Sequence, residues 1–453
     1  MSAIPGGIDA ERGPPMAIPL GHFVVGFGFL LAGSALGVAE AAGFGQGLSV
    51  AAHVHLLLVG WVCVTIMGAM TQFVPVWSGV ELRSRRLAAV QLGLVAVGVA
   101  GFAALLVAGE LGWLPVAGAA MLAGFWVFAY NVGRTLSGVE GWDVTERHFA
   151  LALGSLVAVT ALGFVLAVDF ARPVLADAGL SRTGIVEAHA TLAVFGIVLT
   201  TVVGALYQLG TMFTQTELRG TDILLRRVEE WTYPAGVLAL AGGRGIDSEP
   251  IALAGAAFVL VGLLAFAAVL ARKLRETRVE RTPMLSRYAV VAGALPAWAL
   301  ASAPAWLADP TDPAATVGAP GAGHLLLGGV VGFVLLGTLY HVVPFIVWVQ
   351  RYSDRVGLEP VPMIDDLYDD RLAVADFWLA LGGLSVVVGG ELAGVDPAVL
   401  VGGIAATIGF AVFAANLVGV VVRHGPESLR IGRLAAEEAT RSDADPDPDE
   451  RYP

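Results

Sequence analysis

The chain has 453 residues, 57% of them hydrophobic and only 14% charged, with a net charge of −12 and a mean hydropathy of +0.77. This composition excludes a string of ordinary soluble domains, because apolar runs able to cross a hydrocarbon layer at about 20 residues each recur along nearly the whole chain. The single cysteine, Cys63, excludes a disulfide framework and any cysteine-based zinc or iron–sulfur site, so metal chemistry here has to use histidine.

Breaks at charged residues, glycine and proline predict an all-α membrane protein of twelve spans, at 17–39, 49–77, 87–109, 112–133, 148–169, 184–213, 231–247, 251–271, 288–308, 320–349, 372–392 and 397–422. The seventh, Trp231 to Asp247, is the weakest and ends around Gly242-Gly243-Arg244-Gly245. Residues 1–16 read as a cytoplasmic N-terminal segment without the basic start and cleavage site of a signal peptide, 17–424 as the membrane domain, and 425–453 as an acidic disordered cytoplasmic tail. Much of the negative charge belongs to that tail and to the loop Glu359 to Asp370.

The basic residues test the count, since arginine and lysine are retained on the cytoplasmic side of short loops. Twenty-three of the 26 fall in the termini or in loops that twelve spans place on the same side, such as Arg83/Arg85/Arg86, Arg219/Arg226/Arg227 and Arg351/Arg355/Arg371. Only Arg172, Arg182 and Arg244 fall opposite. Both termini are therefore expected in the cytoplasm, and the chain in a prokaryotic plasma membrane.

Spans 2, 6 and 10 align without gaps. Ala52-His53-Val54-His55 leads through Gly60 and Gly68 to Gln72; Ala188-His189-Ala190-Thr191 through Gly196 and Gly204 to Gln208; Ala322-Gly323-His324 through Gly329 and Gly337 to His341. The offsets are 136 and 133 residues. His324 thus matches His55 and Thr191, and Ala322 matches His53 and His189. One four-helix unit used three times, in a pseudo-threefold arrangement, explains this economically. The glycines alone are explained by close helix packing; the polar positions are not.

Of eight histidines, His148 and His424 sit at cytoplasmic helix ends, where solvation or capping explains them, and His22 fits an ordinary helix interface. His53, His55, His189 and His324 differ, because all four fall near the outer ends of spans 2, 6 and 10, where ionisable groups usually face the bundle interior. Headgroup contact is the plainer alternative. Imidazole is the common protein ligand of haem iron and copper, and a six-coordinate haem needs two histidines from opposite helices. His53 and His55, about 200° apart around a helix, cannot face one site. His341, about 25 Å along the helix from His324, cannot share its iron; with Gln72 and Gln208 it suggests a polar layer or one helix-to-helix hydrogen bond.

The motifs Ala52-His53-Val54-His55-Leu56 with Gly60, Gly68 and Pro75, and Gly323-His324-Leu325 with Gly329, Gly337, Tyr340 and Pro344, resemble helices 2 and 10 of the haem-copper oxidase superfamily, most closely its nitric oxide reductase and C-type oxidase branches. Twelve helices with cytoplasmic termini are similar to that family's catalytic subunit I. The resemblance implies a low-spin, bis-histidine b-type haem on His53 and His324. It also implies a respiratory electron-transfer role, a quinol or an external cytochrome or cupredoxin as donor, and a small accessory membrane subunit. The high-spin haem ligand implied two residues before His324 is Ala322, and span 7 has no copper-binding histidine pair. These departures argue against a second haem or copper of the usual kind, leaving a second metal on His189 and His55 as a separate extension.

Glu187 and Tyr207 on span 6, Tyr340 on span 10, and Glu40, Asp169 and Glu391 at outer ends are candidates for proton delivery, with plain solvation as the alternative. Trp61, Trp77, Trp142, Trp231, Trp298, Trp306 and Trp348 fit interfacial belts at least as well as cofactor contacts. No phosphate loop, hydrolase triad or nucleic-acid-binding patch is evident. Three functions stay open: a haem oxidoreductase or electron carrier, a haem or metal sensor or assembly factor on the same scaffold, and a proton-coupled transporter. The last fits poorly, since transporters commonly use inverted repeats and broken helices.

Overall fold

The computed structural model describes residues 13–429. Of the N-terminal segment and the acidic tail, residues 1–12 and 430–453 lie outside the described residues. Twelve long helices follow one another: α1 (Ala17–Ala41), α2 (Ser49–Ser78), α3 (Arg85–Ala108), α4 (Leu114–Leu136), α5 (Val144–Ala171), α6 (Arg182–Thr214), α7 (Thr221–Gly245), α8 (Glu249–Glu276), α9 (Pro283–Ala308), α10 (Leu325–Arg351), α11 (Asp370–Ala393) and α12 (Asp396–His424). No β-strand forms among the described residues. Eleven of the helices are long and apolar enough to cross a membrane, and the chain is an all-α integral membrane protein.

The exception is α7. It starts ten residues before the expected span, at Thr221, and so takes Asp222, Arg226, Arg227, Glu229 and Glu230 into the helix. It ends at Gly245, within the glycine run expected to end it, and at Gly243 a Cβ would lie 2.4 Å from the Ala252 nitrogen on α8. Glycine there permits backbone contact that no other residue would.

Helix starts follow from side-chain caps. Ser84, Asp143, Ser181, Thr282 and Asp369 each accept a hydrogen bond from a backbone N–H in the first turn of the helix they precede. Asp143 completes a capping box with Glu146.

The bundle has an inner and an outer layer. Helices α6 and α10 are 83% buried over their most apolar windows, against 33% for α11 and α12, and α2, α6 and α10 line the centre. α1, α5 and α9 pack on them, while α3–α4, α7–α8 and α11–α12 form tight outer hairpins. Glycines set the close approaches at recurring positions. A Cβ at Gly98, Gly236 or Gly383 would come within 2.7, 2.6 or 2.4 Å of a backbone nitrogen on the hairpin partner, at Met121, Val259 and Ala406 respectively. The glycines and the residues they meet alike are spaced 138 and then 147 residues apart. The chain enters and leaves at one end: the Met16 N–H donates to Gln350 Oε1, and Tyr352 meets His424.

Candidate functional site

Each inner helix opens into a π-helical stretch: His55–Cys63 in α2, Leu192–Leu199 in α6 and Leu325–Gly332 in α10. These wide turns recur at functional sites. The four singled-out histidines lie at or just before them, towards the end of the bundle opposite the described termini, and they sort into two compartments.

The first compartment lies among α1, α2, α10, α11 and α12 and encloses about 570 Å³. His53 and His324 face each other across it, with ring centres 6.4 Å apart and planes tilted by 49°. His53 Nδ1 donates to the Gly33 carbonyl at 2.8 Å. The ring rests on Gly37, where a Cβ would sit 2.5 Å from its Cε1. His324 Nδ1 donates to Glu391 Oε1 at 2.7 Å. With both Nδ1 atoms committed as donors, each neutral ring keeps its lone pair on Nε2. Three buried polar atoms of the lining, Ser34 Oγ, Trp61 Nε1 and Glu391 Oε2, have no protein partner. Glu40, also in the lining, accepts a short hydrogen bond from the Ser49 hydroxyl.

The second compartment, about 80 Å³, lies among α2 to α6 and holds His55 and His189 with Cys63 and Met121 in its wall. His55 therefore turns away from His53, as their 200° separation requires. Its Nδ1 donates to the Ala51 carbonyl at 2.7 Å, and its ring lies 5.0 Å from that of Phe102.

Between α6 and α10 the corresponding space is filled. Ala322 and Thr191 are buried there, and Phe195, Trp298 and Trp306 pack with ring centres 5.4 to 5.8 Å apart. Trp298 and Trp306 are fully buried, so of the two readings open to them the interfacial belt does not hold. Their Nε1 groups donate to the Val317 and Ala315 carbonyls, so the loop before α10 satisfies them instead of headgroups. Arg244, expected at the outer end of the seventh span, is 1% exposed. It donates to the Pro310 and Thr316 carbonyls and to the Thr191 hydroxyl at 2.8, 2.9 and 2.8 Å.

Nearer the termini, the polar residues form two buried networks. His148 is not solvated as expected: it is 3% exposed, and its Nε2 meets Glu229 Oε1 at 2.9 Å, with Tyr207 beside it. Tyr340 donates a short hydrogen bond to Asp376, which also pairs with Arg287; Asn416 donates to the Tyr340 oxygen at 3.1 Å. Gln72 Oε1 is buried without a partner. His341 lies 4.5 Å from the Phe213 ring and stacks on Phe345, and Gln208 is half-buried. At the opposite end Glu187 is buried with Oε1 unpartnered, and Asp169 pairs with Arg182.

Sequence reasoning missed Glu229, Asp376 and Arg287. A signal existed: Gln91, Glu229 and Asp376 keep the 138 and 147 spacing of the hairpin glycines, and His22, His148 and Arg287 each pack on the second glycine of an inner helix, at Gly68, Gly204 and Gly337.

Among the described residues no group of three or more His, Cys, Asp or Glu could hold a metal ion, so a metal bound by these histidines takes protein ligands in pairs. No protein-family model matches the chain, and no curated protein matches it.

Proposed function

We propose that the protein is a haem-binding electron carrier of the membrane, built on a scaffold like subunit I of the haem-copper oxidases, with His53 and His324 as axial ligands of one low-spin b-type haem. The observation that carries this reading is the 6.4 Å between their ring centres. At that separation the Nε2 lone pairs of the two rings would hold one metal centre between them. The Nδ1 contacts to Gly33 and Glu391 orient both rings, and such outer partners fix the tautomer and raise ligand basicity. Leu30, Val331 and Phe410 give the compartment an apolar wall, and the unpartnered Trp61 and Ser34 groups offer hydrogen bonds to a bound group. The haem supplies one-electron transfer. In this reading α7 also crosses the membrane, as the seventh of twelve spans, its Glu229 and Arg244 accommodated by His148 and by loop carbonyls, and both termini lie in the cytoplasm. The recurring offsets support three four-helix units.

A reduced-minus-oxidised spectrum of the purified protein tests this directly. Low-spin b-type bands are expected, lost in His53→Ala and His324→Ala; protein free of haem and iron overturns the reading. The packed space at Ala322 favours one second reading, a haem sensor or assembly factor without turnover. That reading is separated by whether the reduced protein binds carbon monoxide or consumes oxygen or nitric oxide.

A further inference from the structure

The two histidine compartments are copies of one design. His189 lies 136 residues after His53; its Nδ1 donates at 3.0 Å to the Val159 carbonyl, which lies 126 residues after the Gly33 acceptor of His53. The ring rests on Gly163, again 126 residues after Gly37, where a Cβ would lie 2.8 Å from His189 Cε1. His55 in turn occupies the aligned position of His324. The operation that carries the His53–His324 pair one unit along the chain therefore generates His189–His55. Packing alone does not account for this. Where the same positions serve packing, in the third compartment, they are Ala322 and Thr191, with Trp298 and Ser302 in place of Gly33 and Gly37.

We propose that His55 and His189 form a second, independent site that takes one soft monovalent metal ion of the copper(I) class. The cavity, at about 80 Å³, is too small for a macrocycle but large enough for an ion. Its wall holds no carboxylate, so a divalent ion would sit with its charge uncompensated in an apolar interior, whereas a single charge with few ligands is far less penalised. Imidazole suits copper, and the two imidazoles are the protein ligands, with the polarizable sulfurs of Cys63 and Met121 in the wall as a soft surround for its reduced state. Both Nδ1 atoms are committed to carbonyls, leaving Nε2 as the donor on each ring.

Copper(I), delivered anaerobically from a chelator to the purified full chain and counted by elemental analysis after desalting, provides the test. About one equivalent per chain is expected to stay bound, to fall at least about tenfold in His55→Ala and His189→Ala, and to persist in His53→Ala and His324→Ala. His189→Gln, which keeps size and polarity, is expected to lose the ion while eluting as a monodisperse peak. Wild-type protein that retains no copper, or His55 and His189 variants that retain as much as wild type, overturns the proposal. So does loss of a haem spectrum, instead of copper, in His189→Gln. Because the His53 and His324 variants are expected to lose haem and keep copper, failure of the haem reading is seen separately.

Discussion

The first and third compartments occupy equivalent places around the inner helices, yet one is a cavity and the other a plug. In the first, Gly37 clears space on α1 for an imidazole and the Gly33 carbonyl accepts its Nδ1–H. In the third, the aligned α9 positions are Trp298 and Ser302, and Ala322 stands where His53 would. The indole of Trp298, Trp306 and the Arg244 guanidinium then fill the volume and tie down the loop before α10. A site on this scaffold is defined as much by what the neighbouring helix withholds as by the ligand itself.

The sharpest way to break that comparison is to exchange ligands. His53→Ala or His324→Ala is expected to remove all bound haem, read from the spectrum, whereas installing Ala322→His with Thr191→His is expected to add none, because the tryptophans still occupy the space. A gain of haem there would sink the idea that volume decides. Next in size, Trp306→Ala should destabilise the protein by about 3–5 kcal/mol through an unfilled cavity, measured by unfolding in mixed micelles; a neutral result would show the plug to be loose. Glu391→Gln keeps the shape of the first compartment but weakens the His324 anchor, and about 10–100-fold weaker haem retention is expected, measured by transfer to an acceptor apoprotein. The smallest effect is Ser49→Ala, which removes the hydroxyl bound to Glu40; about 1 kcal/mol of stability should be lost, with haem content unchanged.

Much of the architecture was legible because a lipid-facing helix must be apolar along its length. Eleven of the twelve expected spans are helices of that kind. The seventh was half legible: its first turns carry charges that hydropathy reads as loop, and Glu229 becomes tolerable only through His148, 81 residues earlier in sequence. That partnership is tertiary and leaves no local pattern. The separation of His53 from His55 followed from helical geometry alone, but their partners did not, since α10 and α6 reach them from distant parts of the chain. Trp298 and Trp306 stayed open between two readings because a tryptophan with a satisfied N–H reads the same at a membrane surface and against a buried carbonyl.

A π turn holds about one more residue than the α-turns around it, so in each inner helix the segment above it and the segment below it are set to their neighbours at separate angles. Closing the wide turn of His55–Cys63 into α geometry without losing a residue would swing the imidazoles by roughly 100° about the helix axis relative to Gly68 and Gln72. The widened turn works as a rotary joint, letting selection re-aim the chemical end of a helix while its anchored end stays seated on His22.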